Sequence, residues 1–307
     1  MSDLATDYRI FRERGGVVDL ASRVKLLFTG ADRVRYLNGQ LTANIATAKT
    51  PSVLPACVTT AKGKLCAEIR ASLGPSGILV DADASVADTL PARLERYIIA
   101  DDVTMEDATN TIAIVHLIGT PPDSLREKFL PSNRYGIAGH DYFPPFRKDL
   151  APVWEQLAAQ FPVLSDELLE LIRIEHGVPL WGFELDENTL PAEAGLDRTH
   201  VDFHKGCYIG QEVISRIKSV GHANRALHGF VSSDNAPLAR GARIFTADAP
   251  DKELGRLTST AFSFALDRHI ALGYLRRDTP HESLLAASAE APDAPVPVAI
   301  HTLPFIP

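Results

Sequence analysis

The texture of this chain changes once, near Leu227, and that change limits the possible folds more than any single motif does. Upstream, strand-like and helix-like stretches alternate. Val17 to Thr29 reads as a strand pair, and Arg33 to Gln40 as a helix with Val34 and Leu37 on one face. Val53 to Val58 and Leu65 to Leu73 flank a hairpin turn at Ala61-Lys62-Gly63-Lys64, and Ile78 to Asp81 adds another strand. Ser85 to Ile99 has helical spacing, and Ile112 to Ile118 is an apolar strand. Pro121 to Pro145 reads as a loop or small subdomain. Val153 to Phe161 and Ser165 to His176 predict two helices, the second capped by Ser165 and stopped by Gly177 and Pro179.

Downstream the helical pattern is rare. Short apolar runs at Leu227 to Val231, Ala242 to Phe245, Gly255 to Ser263, Ile270 to Leu275 and Val296 to Ile300 are separated by turn residues. They predict a small β-sandwich or barrel, with Ala286 to Pro297 as a long loop inside it. The expected organisation is an α+β or α/β body over residues 1–224, followed by an all-β unit over 225–307.

With 307 residues the chain can bury a core without disulfides or metals. Its net charge of -8 argues against a protein that coats nucleic acid, while leaving room for a local basic pocket. No run of 18 apolar residues occurs, so no membrane span is expected. Cys57, Cys66 and Cys207 are too few and too scattered for a disulfide framework, and the N-terminal stretch lacks a signal-peptide pattern. The expected location is cytoplasmic.

Chemistry-bearing residues concentrate at Lys205-Gly206-Cys207-Tyr208-Ile209-Gly210-Gln211-Glu212. Two glycines let the backbone approach a ligand, and a lysine two residues from a cysteine can favour its thiolate. A helix starting at Gln211 would favour negative charge at the same place. The alternative is a loop-to-helix junction whose cysteine is a small buried hydrophobe. Upstream, Arg173 to Asp197 carries Trp181, Phe183 and several carboxylates. A planar heterocycle could use an aromatic wall and a carboxylate such as Glu187, although charge runs are more often solvated loops. His200 and His204 lack the further ligands of a zinc site.

The octapeptide resembles the K-G-C-Y-x-G-Q-E signature of YgfZ-type folate-binding proteins, which are related to the glycine-cleavage T-protein (an aminomethyltransferase) and to mitochondrial iron–sulfur assembly factors. The resemblance extends through Phe28 to Asn44, Ala61 to Lys64, and Pro191-Ala192-Glu193-Ala194-Gly195-Leu196. It implies an α+β, aminomethyltransferase-like folate-binding body with a C-terminal β-barrel. It also implies tetrahydrofolate or a one-carbon derivative as cofactor, and iron–sulfur enzymes as clients, including a tRNA-thiolating one. By position it makes Cys207 and Lys205 the reactive pair. Glu187 becomes the pterin anchor, with Trp181 where T-proteins have tyrosine, and Tyr208 and Arg216 become further folate contacts. Neither direct nucleic-acid contact nor membrane association is implied. T-proteins carry an acidic pair after their glycine-rich turn, whereas only Glu68 stands near that place here. Aminomethyl transfer is therefore the alternative expectation, and a folate-dependent accessory role the leading one.

Overall fold

The computed structural model describes residues 3–144, 147–219, 221–279 and 282–307. Helix α1 (Leu4–Arg14) leads into β1 (Gly16–Asp19) and β2 (Val24–Thr29), and α2 (Arg33–Gln40) precedes the hairpin β3 (Ser52–Thr59) and β4 (Leu65–Leu73). Strand β5 (Ile78–Ala82), helix α3 (Thr89–Glu95) and β6 (Thr104–Asp107) complete a five-stranded antiparallel sheet in the order β3-β4-β5-β2-β6. Period-two alternation sends Leu26 and Phe28, Ala56 and Val58, and Ala67 and Ile69 into one core, which Leu37 of α2 and Leu90 and Leu94 of α3 cover. Each large apolar side chain fully buried there contributes roughly 1.5–3 kcal/mol.

A helix expected over Ser85 to Ile99 is broken in two. Asp83 accepts the amide of Ser85 and caps a short 3-10 turn at Ala84–Val86, and the α-helix begins only at Thr89. Pro91 explains the restart, because its ring would clash with the carbonyl four residues earlier and it has no amide to donate.

The second sheet is four-stranded, in the order β1-β7-β9-β8, with β7 at Val115–Ile118, β8 at Phe129–Ser132 and β9 at Gly139–Tyr142. Both β8 and β9 fall within the stretch expected to be a loop or small subdomain, whose last residue, Pro145, lies outside the described residues. Strands of four residues carry too little alternation to be legible. Strand β9 is held by pairing with β7, His116 opposite Asp141, and β8 by pairing with β9.

Helices α4 (Leu150–Ala158) and α5 (Asp166–Glu175) follow, Ser165 capping α5 by accepting the Leu168 amide. After a long irregular segment comes α6 (Gln211–Ser219). The C-terminal strands are β10 (Arg225–Ser232), β11 (Arg243–Thr246), β12 (Gly255–Ser263), β13 (Arg268–Arg276), β14 (Leu284–Ala287) and β15 (Val296–His301). They close into a six-stranded barrel, β10-β13-β12-β11-β14-β15, which leaves no sheet edge unpaired. The fold is thus the expected α+β body with a C-terminal barrel. Strand β14 was not anticipated, for the same reason as β8 and β9.

Buried charge joins these parts. Arg134, in the turn between β8 and β9, donates to both oxygens of Asp81 on β5 (2.8 and 3.0 Å) and of Asp141 on β9 (2.9 and 3.0 Å). One guanidinium therefore bridges the two sheets. At the other junction, Glu175 of α5 accepts from Tyr8 of α1 (2.7 Å) and Ser263 of β12 (2.5 Å). Arg173 reaches Ser259 (2.6 Å) and Glu184 (3.0 Å), and Glu184 also accepts from Thr258 and Ser259 (2.6 Å each). Helix α5 is the hinge pin between body and barrel.

Arg134→Met should destabilise the protein by about 3–5 kcal/mol, because it leaves two buried carboxylates without their shared partner. Urea unfolding measures this, and a loss below about 1 kcal/mol would show that the bridge is not essential.

Candidate functional site

Between the two sheets and the barrel lies a cavity of about 630 Å³, a volume suited to a drug-sized or cofactor-sized ligand. Its walls come from β3 and β4 (Pro55, Glu68, Arg70), from the β8–β9 turn (Asn133 to Gly136), from the segment after α5 (His176 to Leu180), and from Ala194 to His200. Leu227, Leu303 and Pro304 of the barrel unit complete it. The lining combines apolar surface with five arginines, Arg23, Arg70, Arg134, Arg173 and Arg198, and Glu68 is the one acidic side chain among the described lining residues.

Strand alternation explains the β4 contribution. Ala67, Ile69 and Ala71 face the core, so Glu68, Arg70 and Ser72 face the opposite way. Arg70 pairs with Glu68 and donates to the carbonyl of Asn133 (3.1 Å). His200 Nε2 sits 3.0 Å from Glu68 and 3.2 Å from Arg70, while Nδ1 lies 2.7 Å from the Thr199 hydroxyl. Burial, reinforced by Arg134 and Arg23, pushes Arg70 down to about 9. Burial and then the Arg70 charge hold His200 well below its ordinary value, so it is neutral at pH 7. In Asp141, burial opposes ionisation but the Arg134 charge outweighs it and keeps the carboxyl ionised. The cavity is thus an arginine-rich chamber in which Arg23, Arg70, Arg134 and Arg173 are each paired with a carboxylate, with one phenol ring, Tyr135, in its wall.

The signature octapeptide lies apart from this lining. Its lysine is buried, and Lys205 Nζ donates to the carbonyls of Asn38 (2.7 Å), Leu41 (2.6 Å) and Ala43 (2.6 Å) at the end of α2. All three ammonium donors are committed there, which corrects the expectation that Lys205 serves the Cys207 thiol. Burial lowers Lys205 to about 8, which leaves it protonated at neutral pH. The loop is also tied to the β3–β4 turn. Thr59 donates to the Ile209 carbonyl (2.6 Å), and Gly210, at φ +90°, packs so closely that a Cβ would lie 2.5 Å from the Thr60 carbonyl oxygen. Cys207 itself is exposed, whereas Cys57 is buried and its thiol is pushed up to about 12 by that burial.

The structure brings Lys205 and Tyr208 together, the ammonium 5.3 Å from the ring centroid. It does not gather the other expected residues around the cavity. Tyr208 is buried, with its hydroxyl unpartnered among the described residues. Trp181 packs beside Cys57, Leu65 and Leu185. Glu187 is exposed in a turn, and Arg216 is exposed on α6. Neither Trp181 nor Glu187 lines the cavity, because the tight turn from Leu180 to Leu185 directs the chain away from it; Glu184, not Glu187, is the buried carboxylate of this segment.

Sequence reasoning missed Arg70, Arg134 and Arg173. A signal existed for two of them. Arg70 interrupts an apolar strand at alternate positions with Glu68, and Arg173 sits among Leu171, Ile172 and Ile174 on a helix that is nearly all buried. Arg134, in a polar turn, carries no local signal. Among the described residues no group of three or more His, Cys, Asp or Glu side chains is arranged to hold a metal, and no helix is long and apolar enough to cross a membrane.

Comparison with known proteins supports the fold and the kinship. Residues 225–306 match the family model of the glycine cleavage T-protein C-terminal barrel domain. An aminomethyltransferase of Rubrobacter xylanophilus is 26% identical over 98% of this chain and 86% of its own length. The tRNA-modifying protein YgfZ of Yersinia enterocolitica is 27% identical over 73% of each chain. A putative chloroplastic transferase of Arabidopsis thaliana is 26% identical over 85% of this chain, which spans only 65% of that protein's length. The crystal structure of the glycine cleavage system aminomethyltransferase T from Bartonella henselae superposes with a TM-score of 0.85 over 99% of this chain and 89% of its own, at 17% identity, and so shares the fold. The chain is a relative of the YgfZ and aminomethyltransferase T proteins.

Two outcomes follow from the site geometry. In the native protein, a thiol reagent at pH 7.5 should modify Cys207 quickly and leave Cys57 untouched, with mass spectrometry of the digest locating the label; early labelling of Cys57 would contradict its burial. Stability should also fall as pH drops below about 6.5. His116, His176 and His200 are all lowered by burial first of all, so the unfolded state takes up protons that the native state refuses. Each such proton costs about 1.4 kcal/mol per pH unit until the folded pKa is reached. Urea unfolding between pH 7.5 and 5.5 measures the slope, and His200→Gln should reduce it.

Proposed function

We propose that this protein binds a reduced folate in the cavity between body and barrel, and that it acts as an accessory factor for iron–sulfur enzymes through the exposed thiol of Cys207. The observation that carries the binding half is the lining itself. A folate is a flat, hydrogen-bonding heterocycle joined to an aromatic ring and a carboxylate tail. The cavity offers Tyr135 and apolar side chains for the rings, and Arg70, whose buried Nε has no partner among the described residues, and Arg198 for the carboxylates; Arg134 and Arg173 are already committed to carboxylates of the protein. Its volume of about 630 Å³ suits a ligand of that size. The kinship with YgfZ and aminomethyltransferase proteins points the same way.

This reading places the ligand against Arg70 and Tyr135 rather than against Trp181 and Glu187. Lys205 acts as an anchor: it fixes the loop that carries Cys207 to the end of α2. Cys207 then stands on a rigid base with its sulfur in solvent, available to a client protein. The accessory role rests on that accessibility together with the family signature, and tRNA-modifying iron–sulfur enzymes are the client class it suggests.

Aminomethyl transfer is the second reading, favoured by the match to an aminomethyltransferase along 98% of this chain. Glu68 is the carboxylate it would draw on, and Arg70 and His200 already occupy that side chain. Folate-dependent ammonia release from an aminomethylated lipoyl protein would establish this reading directly.

Calorimetric titration with tetrahydrofolate tests the main proposal. Arg70→Gln should weaken binding by about tenfold or more, the loss of one charge-assisted contact, with the melting temperature recorded to exclude unfolding. Cys207→Ser should bind folate as the parent does yet fail to restore a thiolating iron–sulfur enzyme in cells lacking this protein. Unchanged affinity in the Arg70 variant would sink the cavity assignment, and equal loss of both properties in the Cys207 variant would refute their separation.

A further inference from the structure

A second cleft, of about 750 Å³, opens where the connection after α6 enters the barrel. It is bounded by Glu193, by His222 to Arg225, by Lys252 and Leu254, and by Arg276 to Thr279. Four cations, Arg225, Lys252, Arg276 and Arg277, meet two carboxylates, Glu193 and Asp278, in a chain whose overall charge is -8. A local excess of positive charge against that background calls for an explanation.

Three of these four cations are unpaired among the described residues: Lys252, Arg276 and Arg277 form no ion pair, and all three are exposed. Arg225 is different, because it is held in place. Its Nε donates to Glu193 (3.1 Å) and its guanidinium lies 4.2 Å from the Tyr274 ring centroid, while its two terminal nitrogens have no partner among the described residues. A guanidinium fixed by stacking and one ion pair presents its remaining donors with little entropy left to lose. The backbone beneath is also fixed: the amide of Arg277 donates to Asn224 (3.0 Å) and that of Arg276 to Leu254 (2.9 Å).

An independent feature marks the same cleft. Thr279, which lines it, is 6% exposed, and its hydroxyl has no hydrogen-bond partner among the described residues. A buried hydroxyl left unsatisfied is costly, and a ligand that accepts from it removes the cost.

We infer that this cleft binds an oligophosphate group. A phosphate chain presents several acceptor oxygens and closely spaced negative charges in a small volume, which matches three guanidinium groups, an ammonium and a hydroxyl around one cleft. A single carboxylate would leave most of these donors unused. The site is distinct from the larger cavity: Glu193 and Arg225 belong to this cleft, while the adjoining Ala194 and Leu227 face the other. The two are separated by the strand-like contact in which the Leu227 amide donates to the Glu193 carbonyl (2.8 Å).

The test uses sodium tripolyphosphate, titrated calorimetrically into the full chain at about 0.15 M salt, an ionic strength at which loose surface attraction is largely screened. Saturable binding with one site per chain is expected. Arg277→Gln should weaken it about tenfold, and Thr279→Val severalfold, as charge-assisted and neutral hydrogen bonds are lost. Arg268→Gln, the same charge change at the far end of β13, should leave it unaltered. No saturable binding, or an equal effect of the Arg268 and Arg277 variants, would overturn the inference. So would tighter binding of an oligoglutamate, or of an RNA oligonucleotide with no binding of tripolyphosphate. Because Arg277 is exposed, its variant should keep the parent melting temperature, so a loss of binding there is not a loss of fold.

Discussion

The buried bridge from Asp81 through Arg134 to Asp141 is the constraint on which the rest of this architecture depends. Two antiparallel sheets have no covalent reason to face each other, and the apolar cluster they share, which holds Leu79 of β5 with Val18 of β1 and Ile118 of β7, is not directional. One guanidinium with four carboxylate oxygens around it fixes their distance and angle at once. Placing three charges in the interior is expensive unless each is fully paired, so the arrangement tolerates little displacement. His116 extends the network, its Nδ1 2.7 Å from Asp141. The cavity inherits this rigidity, since Arg134 is part of its wall.

The same logic repeats at the barrel. Arg173 and Glu175 lie on α5 where neighbouring positions are apolar, and Glu184 lies buried beside them. Their partners, Ser259, Ser263 and Thr258, all belong to β12, and the Tyr274 hydroxyl of β13 donates to the Glu184 carbonyl (2.8 Å). Apolar contact between Ile174 and Ile270, Leu272 and Phe305 supplies the area, and the polar contacts supply the orientation. A chamber formed between three separate units keeps its shape only if all the junctions are specified in this way.

The signature loop illustrates a division of labour within eight residues. Lys205, Ile209 and Gly210 are committed to the end of α2 and the β3–β4 turn. Their tight fit leaves Cys207 as an exposed side chain on a backbone that cannot easily move. A motif dense in chemically versatile residues thus turns out to be mostly scaffold, with one thiol held outward.

The sequence by itself determined the local elements and the change from alternating α and β to all-β, because periodicity of 3.6 or 2 is written in the spacing of apolar residues. Helix α2, the β3–β4 hairpin, Ser165 as the cap of α5, and five of the six barrel strands were legible in this way. Strands β8, β9 and β14 were not, since four residues hold too few alternations to stand out from a turn-rich stretch. The octapeptide was visible as a special locus, but not the fact that Lys205 would spend its donors on carbonyls some 160 positions earlier. Tertiary structure alone decided which polar residues meet: Arg70 with the neutral imidazole of His200, Arg134 with Asp81, Arg173 with Glu184. A buried ion pair is a relation between two places, and composition and spacing describe each place only by itself.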